Sequence, residues 1–391
     1  MSDRIKLLLI TIVFLVAYFI PLRHPRVQSA IRDMFVMLQD YAQAHVLFCL
    51  VPAFFIAGAI AVFVSQAAVM KYFGPAANRV LSYGVSSVSG TILAVCSCTV
   101  LPLFAGIYKR GAGIGPACCF LYSGPAINIL AIILTARVLG IELGLARAIG
   151  AIIFAIVTGL LMSYFFRQSE EERAAESATF DPTASQDDTL PLPRMASYVG
   201  VMVLILIFAA WSRPEDEVGL WWEVYQVKWL IVIPLLGVLG PMLWRWFDSE
   251  QIGEWLGATQ TFALQIMPLL FAGVLVAGFL LGMPGTDNGI IPNTWVSRIV
   301  GGNSIWANLG ASVVGAFMYF ATLTEVPILQ SLLGSGMGKG PALALLLAGP
   351  ALSLPNMLVI HSVLGTRKTV TFVSIIVVLS TIAGLVYGSI F

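Results

Sequence analysis

Two cysteines one residue apart, Cys96 and Cys98, stand with Thr99 just upstream of Pro102 in an apolar stretch. Thiols are soft ligands, suited to Cu(I), Zn(II) and other thiophilic elements, trivalent arsenic among them. In a helix, residues two apart point nearly opposite ways, whereas in extended backbone they share a face. A chelating pair therefore needs an unwound chain here, which Pro102 permits but does not require. The alternative is cysteine as a small apolar packing residue, the reading preferred for Cys49, Cys118 and Cys119. No Cys or His set has the spacing of a structural zinc site. A single acid, Glu325, lies between Phe320, Val326 and Ile328. An acid inside an apolar run costs about 3 kcal/mol or more, so it faces a cavity or takes up a proton. Glu325 is thus the candidate proton carrier, against a boundary position or a tight turn before Pro327. His361 and Arg147 read as interfacial, and Trp221-Trp222 and Trp244–Trp246 as interface anchors.

Two Gly-Pro pairs follow the same logic. Gly124-Pro125 is followed by Asn128, and Gly349-Pro350 by Pro355 and Asn356. Proline lacks an N–H and glycine is a poor helix former, so the backbone loosens at both places. Freed backbone groups at membrane depth are tolerated only where protein or a watery cavity receives them. Matched breaks predict half-helix ends converging on a cavity, with the two amides as lining groups. The structural alternative is a packed proline kink, with each Asn closing a helix–helix hydrogen bond.

The pairs belong to an internal repeat. Gly115-Pro116-Ala117 recurs as Gly340-Pro341-Ala342 and Gly124-Pro125-Ala126 as Gly349-Pro350-Ala351, both displaced by 225 residues. Over Ser86–Ala126 against Ala311–Ala351, 14 of 41 positions are identical without a gap.

The elements that carry these residues are membrane helices. Of 391 residues 59% are apolar and 10% charged, and mean hydropathy is +0.92. So few charges cannot cover a globular surface, so lipid covers it. A net charge of +1 argues against nucleic acid as a partner. Eleven apolar runs are candidate membrane segments, not necessarily eleven crossings: 5–22, 45–69, 81–108, 114–139, 143–166, 196–211, 228–243, 261–281, 306–333, 341–363 and 369–390. The first lacks a small-residue cleavage site and reads as a retained helix. Arg167–Arg194 is acidic and poor in apolar residues, so it reads as a loosely ordered linker, and Pro284–Asn303 as a loop. The expected organisation is an N-terminal half, 1–166, with repeat core 81–139; a linker, 167–195; and a C-terminal half, 196–391, with repeat core 306–363.

If all eleven runs cross, the basic residues divide 11 to 10 between the two faces. If one run between the repeats does not cross, or hides a re-entrant hairpin, the division becomes 13 to 8. Cytoplasmic loops are enriched in Lys and Arg, so the uneven division, which makes the repeats inverted, is favoured. Duplicated units with paired helix breaks mark secondary transporters.

The string Cys96-Ser97-Cys98-Thr99 through Pro102, Gly106, Lys109, Arg110, Gly111 and Gly113, continued by Tyr122-Ser123-Gly124-Pro125-Ala126 and Asn128, resembles a family of bacterial predicted permeases. That family includes the ArsP-type organoarsenical efflux permeases and YraQ-like members. The resemblance implies export of trivalent organoarsenicals such as methylarsenite, with membrane cysteines as soft ligands; the vicinal Cys118-Cys119 pair has no place in the pattern.

The expected molecule is an all-α polytopic protein of about ten transmembrane helices, built from two inverted repeats with Gly-Pro-broken helices. It sits in a bacterial inner membrane, binds lipid and a small or metalloid solute, and has no cofactor; a homo-oligomer is compatible with it. Substrate would be held by Cys96, Cys98, Thr99, Gly124, Pro125, Asn128, Gly349, Pro350 and Asn356, with Glu325 coupling to protons. No nucleotide-phosphate loop or catalytic triad is present, so an enzyme or an ATP-driven pump is not expected. The alternatives are a permease or channel for another solute or ion, and a thiol-redox membrane protein using Cys96 and Cys98.

Overall fold

The computed structural model describes residues 11, 14, 18, 21–63, 73, 77–93, 97–127, 129–178, 192–211, 220–283, 286–292, 300–318, 325–334 and 336–391. The apolar run 5–22 therefore falls outside them except at its end and three single positions. All regular elements among the described residues are helical. In order they are α1 (Pro25–Tyr41), a π-helical stretch (Ala42–Leu50), α2 (Val51–Phe63), α3 (Arg79–Leu93), α4 (Ser97–Lys109), α5 (Ile114–Ala126), α6 (Ile129–Val138), α7 (Ile141–Phe165) and α8 (Arg167–Ala178). There follow α9 (Leu192–Ala209), α10 (Leu220–Trp246), α11 (Ser249–Leu281), α12 (Ile305–Phe317), α13 (Glu325–Gly334), α14 (Lys339–Ala348), α15 (Leu354–Leu364) and α16 (Thr366–Ile390). Four single helices, Ile141–Phe165, Trp222–Trp246, Ser249–Leu281 and Thr366–Ile390, are long and apolar enough to cross a membrane. Two bent pairs, Pro25–Phe48 with Val51–Phe63 and Ile114–Ala126 with Ala131–Val138, bring the number to six. The chain is an all-helical polytopic membrane protein.

The 225-residue displacement relates whole elements. It carries α3 to α12, α4 to α13, α5 to α14, α6 to α15 and α7 to α16, in each case within a few residues at both ends. Turn glycines are matched too: Gly111 and Gly336 both have φ of 98°, and Gly140 and Gly365 have φ of 103° and 79°, a region only glycine enters freely. Each repeat also closes on a glycine crossing. A Cβ on Gly115 would lie 2.8 Å from the Gly159 carbonyl oxygen, and one on Gly340 would lie 2.5 Å from that of Gly384. Glycines at these sites let α5 reach α7, and α14 reach α16, backbone to backbone, which drives helix association where lipid supplies no hydrophobic force.

Within each repeat the first two helices do not cross. Tyr83, near the start of α3, touches Gly115 at the start of α5, and the Ser86 carbonyl accepts from Ser123 further along α5 at 2.9 Å. Val100, at the start of α4, packs on Gly124 at the far end of α5, while Tyr108 at the end of α4 shares Glu170 with the Ile114 N–H. Thus α3 runs beside α5 and α4 returns antiparallel to it. In the second repeat, Met337 just past α13 bridges Gly301 and Gly302 just before α12, so this hairpin also begins and ends together. The runs 81–108 and 306–333, expected as membrane segments, are re-entrant hairpins. The non-crossing part anticipated between the repeats lies instead inside each repeat, because the described arms of each run begin and end at the same end of the layer.

The repeats are inverted. Helices α5 and α7 are antiparallel, since the start of α5 meets the end of α7 at Gly115 and Gly159. The start of α7 meets the start of α14 through Glu142 and Lys339, 3.7 Å apart. So α5 begins at the end of the layer that carries α8, and its equivalent α14 begins at the opposite end. The reciprocal contacts expected of a two-fold axis are present: α4 touches α15, and α13 touches α6. Tyr122 donates its hydroxyl to the carbonyl of Leu347, its own equivalent position, at 2.9 Å. A residue that touches its own counterpart lies at the axis.

The linker reading needs correction. Its first part, Arg167–Ala178, is helix α8, made of good helix formers and closed by an Arg167–Glu171 pair at 2.8 Å one turn apart. Residues 179–191 lie outside the described residues. Helix α10 packs chiefly on α9 and turns Leu230, Ile233 and Trp244 outward, as a lipid-covered helix does.

The glycine crossings give a test. G115A and G384A should each lower stability by about 1–3 kcal/mol, because the added methyl meets backbone. By contrast G200A on α9, where a Cβ meets nothing within 4 Å, should be neutral or raise it. Thermal unfolding of the purified protein in detergent reads the difference; equal effects at all three sites would remove the glycine crossing as the cause.

Candidate functional site

Both Gly-Pro pairs end a helix. Pro125 lies in the last turn of α5, and the chain resumes as α6 after a 45° bend. Gly349 caps α14, and Pro350 lies in the short non-helical stretch before Ser353, whose hydroxyl caps α15 by accepting from the Asn356 N–H at 3.4 Å. The last four carbonyls of a helix need partners from outside it. Leu347 finds one in Tyr122, so the first repeat satisfies a carbonyl beside the break of the second across the two-fold axis. The hairpins supply the remaining cover: Gly124 rests on Val100 of α4, and Gly315 of α12 on Leu345 and Gly349.

Thr99 is fully buried beside Val100, and Asn356 is 2% exposed, with its amide oxygen lacking a hydrogen-bond partner among the described residues. Cys96 and Asn128 lie outside the described residues, and of Cys98 only the backbone, in the first turn of α4, is described. Whether the two thiols share a face is therefore not part of the geometry. Cys118 and Cys119 are free and fully buried on α5, where Cys119 lies 3.8 Å from the Tyr83 carbonyl.

Glu325 lies on α13 and is fully buried. Its carboxylate is bound by the guanidinium of Arg147 on α7, and Arg147 is completely enclosed too. The expectation of an interfacial Arg147 is thus wrong. Six residues into an apolar helix it would be costly alone, and Glu325 and the Thr135 hydroxyl, 2.9 Å away, receive its N–H groups instead. The pair joins the first repeat to the second. A signal for it existed in the sequence: each is an isolated charge of opposite sign inside an apolar run. No spacing rule could have paired residues 178 apart. His361, by contrast, is exposed in the last turn of α15, 2.9 Å from Thr366.

The two-fold exposes an asymmetry. The positions equivalent to Arg147, Glu325 and Thr135 are Phe372, Val100 and Ile360, all buried. The equivalent positions on the other side of the axis are therefore buried without charge. A buried ion pair stabilises little relative to apolar packing, so its retention on one side points to function.

A second polar cluster ties the repeats at the end carrying α8. One oxygen of Glu170 accepts from Tyr108 at 3.1 Å and from Lys368, at the start of α16, at 3.0 Å. The other caps α5 through the Ile114 N–H at 3.0 Å. Arg173 lies 3.8 Å over the Tyr108 ring and donates to the Tyr108 backbone carbonyl. Nothing in the sequence flagged this acidic helix as a clasp on the membrane domain.

Arg147→Phe and Glu325→Val introduce the residues of the equivalent positions. Each single change leaves one buried charge and should cost about 3–5 kcal/mol, while the double change should restore at least wild-type stability. Unfolding temperatures in detergent compare the three; additive losses in the double variant would show that the pair is needed for folding.

Residues 32–389 match the family described as "Predicted permease". The UPF0718 protein MJ0584 of Methanocaldococcus jannaschii is 42% identical over 365 residues, which cover 93% of this chain and 97% of that protein. The UPF0718 protein YraQ of Escherichia coli is 22% identical over 286 residues, 71% of this chain and 62% of that protein. No solved structure matches.

Proposed function

The chain belongs to the predicted permease family, and on that premise we propose that it is a secondary transporter exporting a small thiophilic solute, such as a trivalent organoarsenical, by alternating access. The observation that carries this reading is the pair of helix breaks brought together at the axis of two inverted repeats, with Tyr122 bonded to Leu347 between them. Half-helix ends turned inward at mid-depth offer N–H and carbonyl groups to a solute, and inverted repeats supply two states of equal architecture that open to opposite sides. Cys96 and Cys98 would supply soft ligands, with Thr99, Gly124, Pro125, Asn128, Gly349, Pro350 and Asn356 around them. Glu325 would carry the coupling proton.

Opening either end must break what ties the repeats there. At the end carrying α8 that is the Glu170–Lys368–Tyr108 cluster; at the other it is the exposed Glu142–Lys339 pair. Lys109, Arg110, Arg167, Arg173, Arg367 and Lys368 gather at the α8 end, which supports placing it on the cytoplasmic side of a bacterial inner membrane.

Uptake of radiolabelled methylarsenite and, separately, arsenite into everted vesicles tests the assignment, with and without a proton gradient. Saturable methylarsenite uptake is expected, falling at least about tenfold in Cys96→Ser/Cys98→Ser, a loss of roughly 1.4 kcal/mol of binding. Glu325→Gln should abolish the gradient dependence. No uptake above empty vesicles, with the protein inserted, would sink the organoarsenical assignment.

A further inference from the structure

The geometry of the buried pair is half of a better one. Arg147 reaches Glu325 Oε1 through Nη2 and the Thr135 hydroxyl through Nη1. Its Nε, which shares the side-on edge with Nη2, has no hydrogen-bond partner among the described residues, and neither does Glu325 Oε2. These are the two atoms that a side-on, two-pronged arginine–carboxylate contact would join. Such forks are the strongest arrangement open to these side chains, and an unmade half leaves a buried donor and a buried acceptor unsatisfied. Glu325 is tethered to the backbone of α13. A free planar anion has no such tether.

We propose that Arg147 is the binding site for an anionic oxygen group, a carboxylate or related oxyanion, on the transported solute, and that Glu325 occupies this place when the solute is absent. The inference rests on the permease reading above but not on its organoarsenical example, which is uncharged near neutral pH as the trivalent acid, and gives the solute a negative charge. Three observations meet here. The pair is fully enclosed at the boundary between the repeats, where a solute must pass. Its fork is incomplete on both partners. The equivalent place across the axis is filled by Phe372 and Val100, so the fold does not need ions to close it.

When an oxyanion takes the Nε–Nη2 edge, Glu325 loses its cation while still buried. A proton from the aqueous phase neutralises it, so the solute anion and one proton enter the site together and the buried charge balances. Among the described residues, the charged groups on the neighbouring helices are placed elsewhere. Tyr122 on α5 lies within electrostatic reach of Arg147. Glu142 on α7 and Lys339 on α14 are exposed at the edge of the layer, and Arg137 on α6 is exposed as well. Lys368 on α16 is held in the Glu170 cluster at the opposite end.

Acetate and inorganic phosphate serve as probes, with chloride at matched ionic strength as the control. In Glu325→Gln the tethered competitor is gone, and acetate or phosphate should raise the unfolding temperature saturably, with an apparent affinity about tenfold or more above wild type. Arg147→Phe/Glu325→Val should show no such rise. Arg147→Lys keeps the charge but lacks the fork, so the smaller oxyanion effect seen in wild type should vanish in it; this comparison stands even where Glu325→Gln fails to insert. Oxyanion responses no larger in Glu325→Gln than in the double variant, or unchanged in Arg147→Lys, would overturn the proposal. The readout needs no transport, so absent methylarsenite uptake beside a retained acetate response would overturn the substrate reading and support the anion site.

Discussion

Backbone groups freed halfway through an apolar layer have no water to turn to, and this constraint governs the whole arrangement. Two Gly-Pro pairs stop α5 and α14 at that depth. Each stop is tolerable because protein covers it: a re-entrant hairpin of the same repeat on one side, and the other repeat across the axis. The Tyr122–Leu347 hydrogen bond places that mutual cover at the symmetry axis itself. The glycine crossings act at the opposite ends of α5 and α14, where Gly115 and Gly340 seat each helix against α7 and α16 backbone to backbone.

Duplication makes departures from symmetry informative. The two repeats share turn glycines, caps and crossings, and yet differ where Arg147 and Glu325 face Phe372 and Val100. The fold contains its own control experiment: the equivalent positions of one copy are apolar and buried. An enclosed ion pair with an incomplete fork, in the other copy, is an expensive choice for stability alone.

The clasp at Glu170 is a different kind of departure. It uses a helix outside the repeats to hold Tyr108 and Ile114 of the first to Lys368 of the second. Its place at one end of the layer gives the two ends unequal ties, a dense buried cluster against one exposed pair.

Composition alone made a lipid-covered helical protein unavoidable, because so few charges cannot wet a globular surface. The ungapped repeat and the Gly-Pro breaks were legible for the same local reason: proline lacks a donor wherever it sits. Periodicity could not separate a crossing from a hairpin in 81–108 and 306–333, since both are apolar and helical and differ only in what lies against each arm. Nor could it seat Arg147, whose partner comes from the other repeat, or recognise α8 as docked, because an acidic helix looks the same in solution and on a clasp. Residue types and their order determined the material, the duplication and the break points. Direction of crossing, the pairing of distant charges and the contact at the axis are relations between segments far apart in the chain, and only the tertiary structure decided them.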